Sequence, residues 1–146
     1  MDAQILIADD ELNLRKVLSA ILRRQGYEVW TAGDGAEALS LMREHEFQVV
    51  ITDLKMPGIG GMEVLKRARA ESPGVPVIVI TAHGTIDTAV EALKTGAFDY
   101  ITKPFEQDEI LQVVQKALAT AALSAEEVQS DPTTAAADSV SGGEAA

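Results

Sequence analysis

Four short apolar runs along the chain each stop at a polar residue. Ile5-Leu6-Ile7-Ala8 ends at Asp9-Asp10, and Val49-Val50-Ile51-Thr52 ends at Asp53. Val77-Ile78-Val79-Ile80 ends at Thr81, and Tyr100-Ile101-Thr102 ends at Lys103. Segments of helical period lie between the runs, so strands and helices alternate as in a parallel sheet covered on both faces. The runs starting at Ile5, Val49 and Val77 are apolar throughout, as central strands should be. Glu28-Val29-Trp30-Thr31 alternates instead, as a half-exposed edge strand does, and Trp30 there reads as packing rather than binding.

Leu14, Val17, Leu18 and Ile21 mark the first helix, with Gly26 as its stop. Asp34-Gly35-Ala36-Glu37 has the N-cap and N3 acid of a capping box, opening a second helix to about His45. Pro57-Gly58-Ile59-Gly60-Gly61 reads as a loop, followed by a helix carrying Met62, Leu65 and Ala68. A fourth helix shows Ile86, Ala89, Val90 and Leu93 and closes at Gly96. The fifth begins after Pro104 and runs to about Leu123, completing five strands and five helices. From Ser124 the apolar period is lost, and residues 124–146 read as a flexible acidic, Ala-, Ser- and Gly-rich tail or linker. The domain is thus expected over residues 1–123, without internal repeats.

A length of 146 residues suits one domain, and a hydrophobic share of 47% suffices for its core. No stretch approaches the ~18 consecutive apolar residues of a membrane span. The start lacks the basic and apolar regions of a signal peptide. Cysteine is absent, which removes disulfides and thiolate metal sites from consideration. Together these features point to a cytoplasmic protein. The net charge of −11 argues against nucleic-acid binding through phosphate neutralisation. Part of that excess, from Glu126, Glu127, Asp131, Asp138 and Glu144, lies beyond the last Lys or Arg, but the domain itself is acidic too.

As neighbouring parallel strands, the four runs would bring their C-terminal ends to one sheet edge, where open α/β sheets bind ligands. Asp9, Asp10 and Asp53 would then form a cluster of anionic oxygens whose mutual repulsion a divalent cation relieves. Mg²⁺ prefers such carboxylates together with waters and a phosphate. An aspartate in this setting can also attack phosphorus to form an acyl phosphate. The Lys103 ammonium would neutralise phosphoryl oxygens and the Thr81 hydroxyl would hydrogen-bond one of them. Taken singly, each residue has a plainer role: an acidic pair is an N-cap, a strand-end threonine a strand former, Lys-Pro a turn. Their convergence at successive strand ends is what those roles do not explain.

Residues 3–121 resemble the receiver domain of two-component response regulators. The motifs are Ile-Ala-Asp9-Asp10-Glu11, Thr-Asp53-Leu-Lys55-Met-Pro57-Gly58, Ile-Thr81-Ala82-His83-Gly84 and Tyr100-Ile-Thr-Lys103-Pro104-Phe105. The resemblance implies a doubly wound, flavodoxin-like (βα)5 fold with strand order 2-1-3-4-5. It makes Asp53 the phosphoacceptor, with Asp9, Asp10, Asp53 and the backbone carbonyl of Lys55 holding Mg²⁺. Lys103 and Thr81 complete the catalytic set. Thr81 and Tyr100 form the switch, and Pro104 follows a cis bond. A sensor histidine kinase is the implied partner, and the chain would catalyse only its own phosphorylation and slow dephosphorylation.

Asp-Leu-Lys-Met-Pro-Gly and Thr-Ala-His-Gly are most like the receivers of sigma-54-dependent, NtrC-type activators. No Gly-x-x-x-x-Gly-Lys and no helix-turn-helix pattern follows residue 123, which leaves an excised receiver or a single-domain regulator. The resemblance also implies homodimerisation through helix four, strand five and helix five. The apolar surface of helix five is wider than one core-facing stripe. Either that helix is deeply seated, or Ile110, Val113 and Ala117 form an interface. His83, two residues past Thr81, flanks the crevice with Lys55 and has no ligand partner in sequence; His45 lacks even that context. Two other classes compete. A haloacid-dehalogenase-like phosphatase needs an acid two residues after the nucleophile, where Lys55 stands. A receiver fold used only as a scaffold commonly lacks acids or the lysine that are present here.

Overall fold

The computed structural model describes residues 3–130, with side chains through 122. Strands β1 (Gln4–Ala8), β2 (Glu28–Ala32), β3 (Val49–Thr52), β4 (Val77–Thr81) and β5 (Asp99–Thr102) alternate with five helices. These are α1 (Leu12–Arg23), α2 (Gly35–Glu44), α3 (Gly61–Glu71), α4 (Ile86–Thr95) and α5 (Gln107–Ser130). All strand pairs are parallel, in the order β2-β1-β3-β4-β5. The order reverses between β1 and β3, which opens a crevice at their C-terminal ends. No helix among the described residues is long and apolar enough to cross a membrane.

Because side chains alternate across a strand, each central strand feeds two cores. Ile5, Ile7, Ile51, Ile78 and Ile80 pack with Leu18 and Leu22 of α1 and with Ile110, Val114 and Ala117 of α5. Leu6, Ala8, Val50, Val77 and Val79 pack on the other face with Ala38 of α2, Leu65 and Ala68 of α3 and Ala92 of α4. Each fully buried Leu or Ile stabilises the fold by about 1.5–3 kcal/mol relative to exposure. The edge position of β2 accounts for its mixed burial, and Trp30 there stacks against His45 at 4.2 Å between ring centroids.

Packing decides between the two readings of α5 and reorients other helical stripes. Ile110, Val113 and Ala117 are buried in the core, as a deeply seated helix requires, and are not displayed as an interface. The width of the apolar surface on α5 reflects deep seating between β-sheet and neighbours, since Leu111 and Leu118 flank the same core. The apolar stripe of α4 instead points outward: Ile86 is 83% exposed, Val90 45% and Leu93 50%. Small Ala92 is the buried residue of that helix, so α4 lies close to the sheet with its large side chains turned away. Val17 of α1 is likewise exposed, and Leu22 takes its place in the core.

At the start of α2, Asp34 accepts a hydrogen bond from the Glu37 amide at 2.8 Å, as the capping motif requires. The Glu37 carboxylate accepts from the Gly33 amide, one residue before the reciprocal position. Helix α5 continues to Ser130, past the expected end near Leu123. Ala, Glu and Gln in 124–130 favour helix without an apolar period. The remainder of the expected tail, 131–146, lies outside the described residues.

Candidate functional site

Register positions the site. Ala8 of β1 pairs with Thr52 of β3, so Asp9 and Asp53 leave adjacent strands at the same level. Thr81 pairs with Thr102, which brings Lys103 out beside the end of β4. The Lys103 amide donates to the Thr81 carbonyl at 3.0 Å, and the Lys103–Pro104 bond is cis. The Asp53 amide donates to the Ala8 carbonyl at 2.9 Å. Helix α3 approaches this strand end so closely that a Cβ on Gly61 would overlap the Asp53 carbonyl.

The Lys103 ammonium lies 2.9 Å from Asp9 Oδ2 and 3.0 Å from Asp53 Oδ2. A third carboxylate, Glu11, brings Oε1 to 3.2 Å. Asp9 Oδ1 accepts from the Glu11 amide at 2.8 Å, and Asp53 Oδ1 accepts a long bond from the Lys55 amide at 3.4 Å. Asp9, Asp53 and Thr81 are buried, whereas Asp10 is exposed. Oxygens of Asp9, Asp10 and Asp53 all lie within 4.8 Å of one another. An all-oxygen, anionic donor set of this kind suits a hard divalent cation.

The carboxyls of Asp9 and Asp53 respond differently to burial. Burial raises Asp9, and the Glu11 amide and Lys103 only partly offset it. Burial pushes Asp53 up as well, but Lys103, the Thr81 hydroxyl and the Lys55 amide outweigh it and hold this carboxyl below its ordinary value. Burial works against the charge on Lys103, yet hydrogen bonds and attraction from Asp9 and Asp53 raise its pKa overall. Asp53 is therefore an ionised carboxylate at neutral pH, facing a crevice of about 750 Å³ whose wall includes Asp10, Lys55, Met56, His83 and Lys103.

Thr81 accepts a hydrogen bond from the His83 amide through Oγ1 at 3.0 Å. Tyr100 follows at the edge of the same region, half-buried, with its phenol over Gly84, where a Cβ would clash with the hydroxyl oxygen. That oxygen is 3.2 Å from Thr88 Oγ1. Thr88 in turn closes a capping box with Thr85 at the start of α4. Sequence reasoning missed Thr88, the seat of the Tyr100 phenol on Gly84, and the bond that Lys103 donates to Glu11. Thr85-x-x-Thr88 before an apolar run was the available signal for the first of these. Asp9, Asp10, Asp53, Thr81 and Lys103 converge; Tyr100 flanks them, and Ile110, Val113 and Ala117 do not belong to this region.

Residues 5–115 match a family model described as the response regulator receiver domain. The regulatory protein AtoC of Escherichia coli (strain K12) is 45% identical over 115 residues, covering 79% of this chain and 25% of AtoC. The transcriptional regulatory protein ZraR of Klebsiella oxytoca is 41% identical over 128 residues, covering 88% and 29%. A receiver domain protein from Clostridium thermocellum aligns with a TM-score of 0.79 at 36% identity, covering 83% of this chain and 98% of that one. NtrX from Brucella abortus, in complex with ATP, aligns with a TM-score of 0.82 at 36% identity, covering 88% and 29%. The chain spans about a quarter of the length of the curated relatives it matches.

Proposed function

The chain belongs to the response regulator receiver domain family of two-component systems, and on that premise we propose that Asp53 accepts a phosphoryl group from a sensor histidine kinase. The observation that carries this reading is the single ammonium of Lys103 bonded to both Asp9 and Asp53, at 2.9 and 3.0 Å. It keeps a buried carboxylate ionised and supplies a cation for the charge that arrives with phosphate.

An Asp53 oxygen attacks phosphorus in line. The O–P bond forms as the P–N bond of the kinase phosphohistidine breaks, and the imidazole nitrogen keeps the electron pair. Lys103 donates an N–H to one phosphoryl oxygen, and the Thr81 hydroxyl donates to another. Asp9, Asp10, Asp53 and the Lys55 backbone carbonyl would hold Mg²⁺, which when bound supplies positive charge against the anionic phosphodonor. Positioning and charge compensation are the main demands of phosphoryl transfer. Members of this family act on their own side chain and turn over no separate substrate.

The signal then leaves through Thr81 and Tyr100. A phosphoryl group adds about two negative charges and three acceptor oxygens. Thr81 turns toward it and vacates space for the Tyr100 ring, which releases Thr88 at the start of α4. Converting a 1:99 equilibrium to 99:1 takes about 5.5 kcal/mol of differential stabilisation, within reach of several charge-assisted contacts. The surface that changes is α4, β5 and α5, and Ile86, Val90 and Leu93 give it an apolar face suited to homodimerisation. With its net charge of −11 the chain makes no direct nucleic-acid contact; output passes through partner modules such as those of NtrC-type sigma-54 activators.

Incubation with Mg²⁺ and acetyl phosphate, followed by intact mass, tests the reading. Wild type is expected to gain one phosphoryl group and Asp53→Asn none. Equal labelling of both, or labelling of neither, contradicts it.

A further inference from the structure

Glu11 occupies the N-cap position of α1, yet its side chain caps no helix amide. The carboxylate instead turns to Lys103, Oε1 to Nζ 3.2 Å. An ammonium has three N–H donors. Lys103 has three carboxylate partners, at 2.9 Å for Asp9, 3.0 Å for Asp53 and 3.2 Å for Glu11, so no donor is left over for an arriving phosphoryl oxygen. The partners differ in environment: the Asp9 and Asp53 side chains are 3% exposed, that of Glu11 65%. A solvated carboxylate regains water when it lets go, so its bond is the cheapest of the three to break.

We propose that Glu11 competes with the incoming phosphoryl group for Lys103 and thereby sets how readily Asp53 is modified. The inference rests on the phosphoacceptor reading of Asp53. Glu11 is a positioning residue: it acts on the reaction only by holding the lysine. With acetyl phosphate, an Asp53 oxygen forms the new bond to phosphorus, and the P–O bond to acetate breaks with its electron pair. Acetate leaves as the anion, so no proton or further reactant is needed. While Glu11 holds an N–H, that donor is unavailable to the transferring group.

Two variants separate the contact from the charge. Glu11→Gln keeps the length and removes the charge; Glu11→Asp keeps the charge but is one methylene short of Lys103. With Mg²⁺ and acetyl phosphate, both are expected to be modified about two- to fivefold faster than wild type, the range of a solvent-exposed ion pair. In metal-free protein without phosphodonor, acylation of Lys103 by an amine-reactive acetyl ester, read by peptide mass, is expected to rise in both. Acceleration in Glu11→Gln alone assigns the effect to charge and overturns the proposal, as does unchanged or slower modification in both. A wild type that takes up no phosphoryl group refutes the phosphoacceptor reading instead; unchanged Lys103 acylation in the variants would then still overturn the hold of Glu11 on Lys103.

Discussion

Lys103 Nζ lies 3.0 Å from Asp53 Oδ2 across 50 residues of chain, and both side chains are largely withdrawn from solvent. Parallel pairing of β3 with β4 and of β4 with β5 makes that contact, because each side chain is the first residue after its strand. Burial would otherwise oppose both charges. Their attraction keeps Asp53 ionised in the one place where the crevice is open to a phosphodonor.

Asp9 is the strained member of the pair of buried acids. Its pKa is raised, so the folded state holds this proton at pH values where the unfolded chain has released it. Stability therefore falls as pH rises from the ordinary value of 3.8 through the folded value. Asp53 has the opposite sign: its contribution is present above 3.8 and is lost as pH falls through its lowered value. Asp9→Asn is expected to raise the metal-free thermal midpoint at pH 7, with the gain fading below that ordinary value. Calorimetry across the pH range checks this, and a lower midpoint at pH 7 counts against it.

The two faces of the α4–α5 region should respond differently to charge. Leu93 is 50% exposed, so Leu93→Glu is expected to change stability by no more than about 0.5 kcal/mol. Val113 is buried, and Val113→Asp is expected to cost about 4 kcal/mol or more as an unpaired buried charge. Chemical denaturation measures both. If α4 carries the homodimer, Leu93→Glu also abolishes the dimer seen by sedimentation after phosphorylation; a wild type monomeric in both states removes that interface.

Gly61 and Gly84 are expected to separate a backbone clash from a side-chain one. A Cβ on Gly61 meets the Asp53 carbonyl, which cannot move without shifting the site, so Gly61→Ala should cost about 3 kcal/mol. A Cβ on Gly84 meets the mobile end of Tyr100, and Gly84→Ala should cost about 1 kcal/mol while displacing the ring. Unfolding curves give the costs, and the NMR ring resonances of Tyr100 report the displacement.

Thr81→Ala separates chemistry from signal. The variant keeps Asp53, Asp9 and Lys103, and is expected to accept phosphate while leaving the Tyr100 ring resonances unchanged. A wild-type ring shift in the phosphorylated variant contradicts the coupling.

Strand ends were legible because they combine two independent patterns, an apolar run and an abrupt polar stop, and parallel pairing leaves little freedom in where those stops meet. The direction of an amphipathic helix was less so. Ile86, Val90 and Leu93 recur at helical spacing, yet spacing does not say which way a stripe points, and here Ala92 faces the sheet. On α5, both readings of Ile110, Val113 and Ala117 fitted the period; only the packing against β-strand residues such as Ile78 and Ile80 decides for the core. Glu11 stands in the sequence only as the neighbour of Asp9 and Asp10, and its reach to Lys103 depends on a residue 92 positions away. Thr88 shows the same limit, since its bond to Tyr100 joins two elements that local sequence cannot relate.

The central claim is that the carboxylate of Asp53 becomes an acyl phosphate, and borohydride reduction tests it at the atom concerned. Protein treated with Mg²⁺ and acetyl phosphate, then reduced and digested, is expected to carry homoserine at position 53 and nowhere else. Homoserine at Asp9 or Asp10, or none at position 53 in protein that has gained a phosphoryl group, would contradict the account.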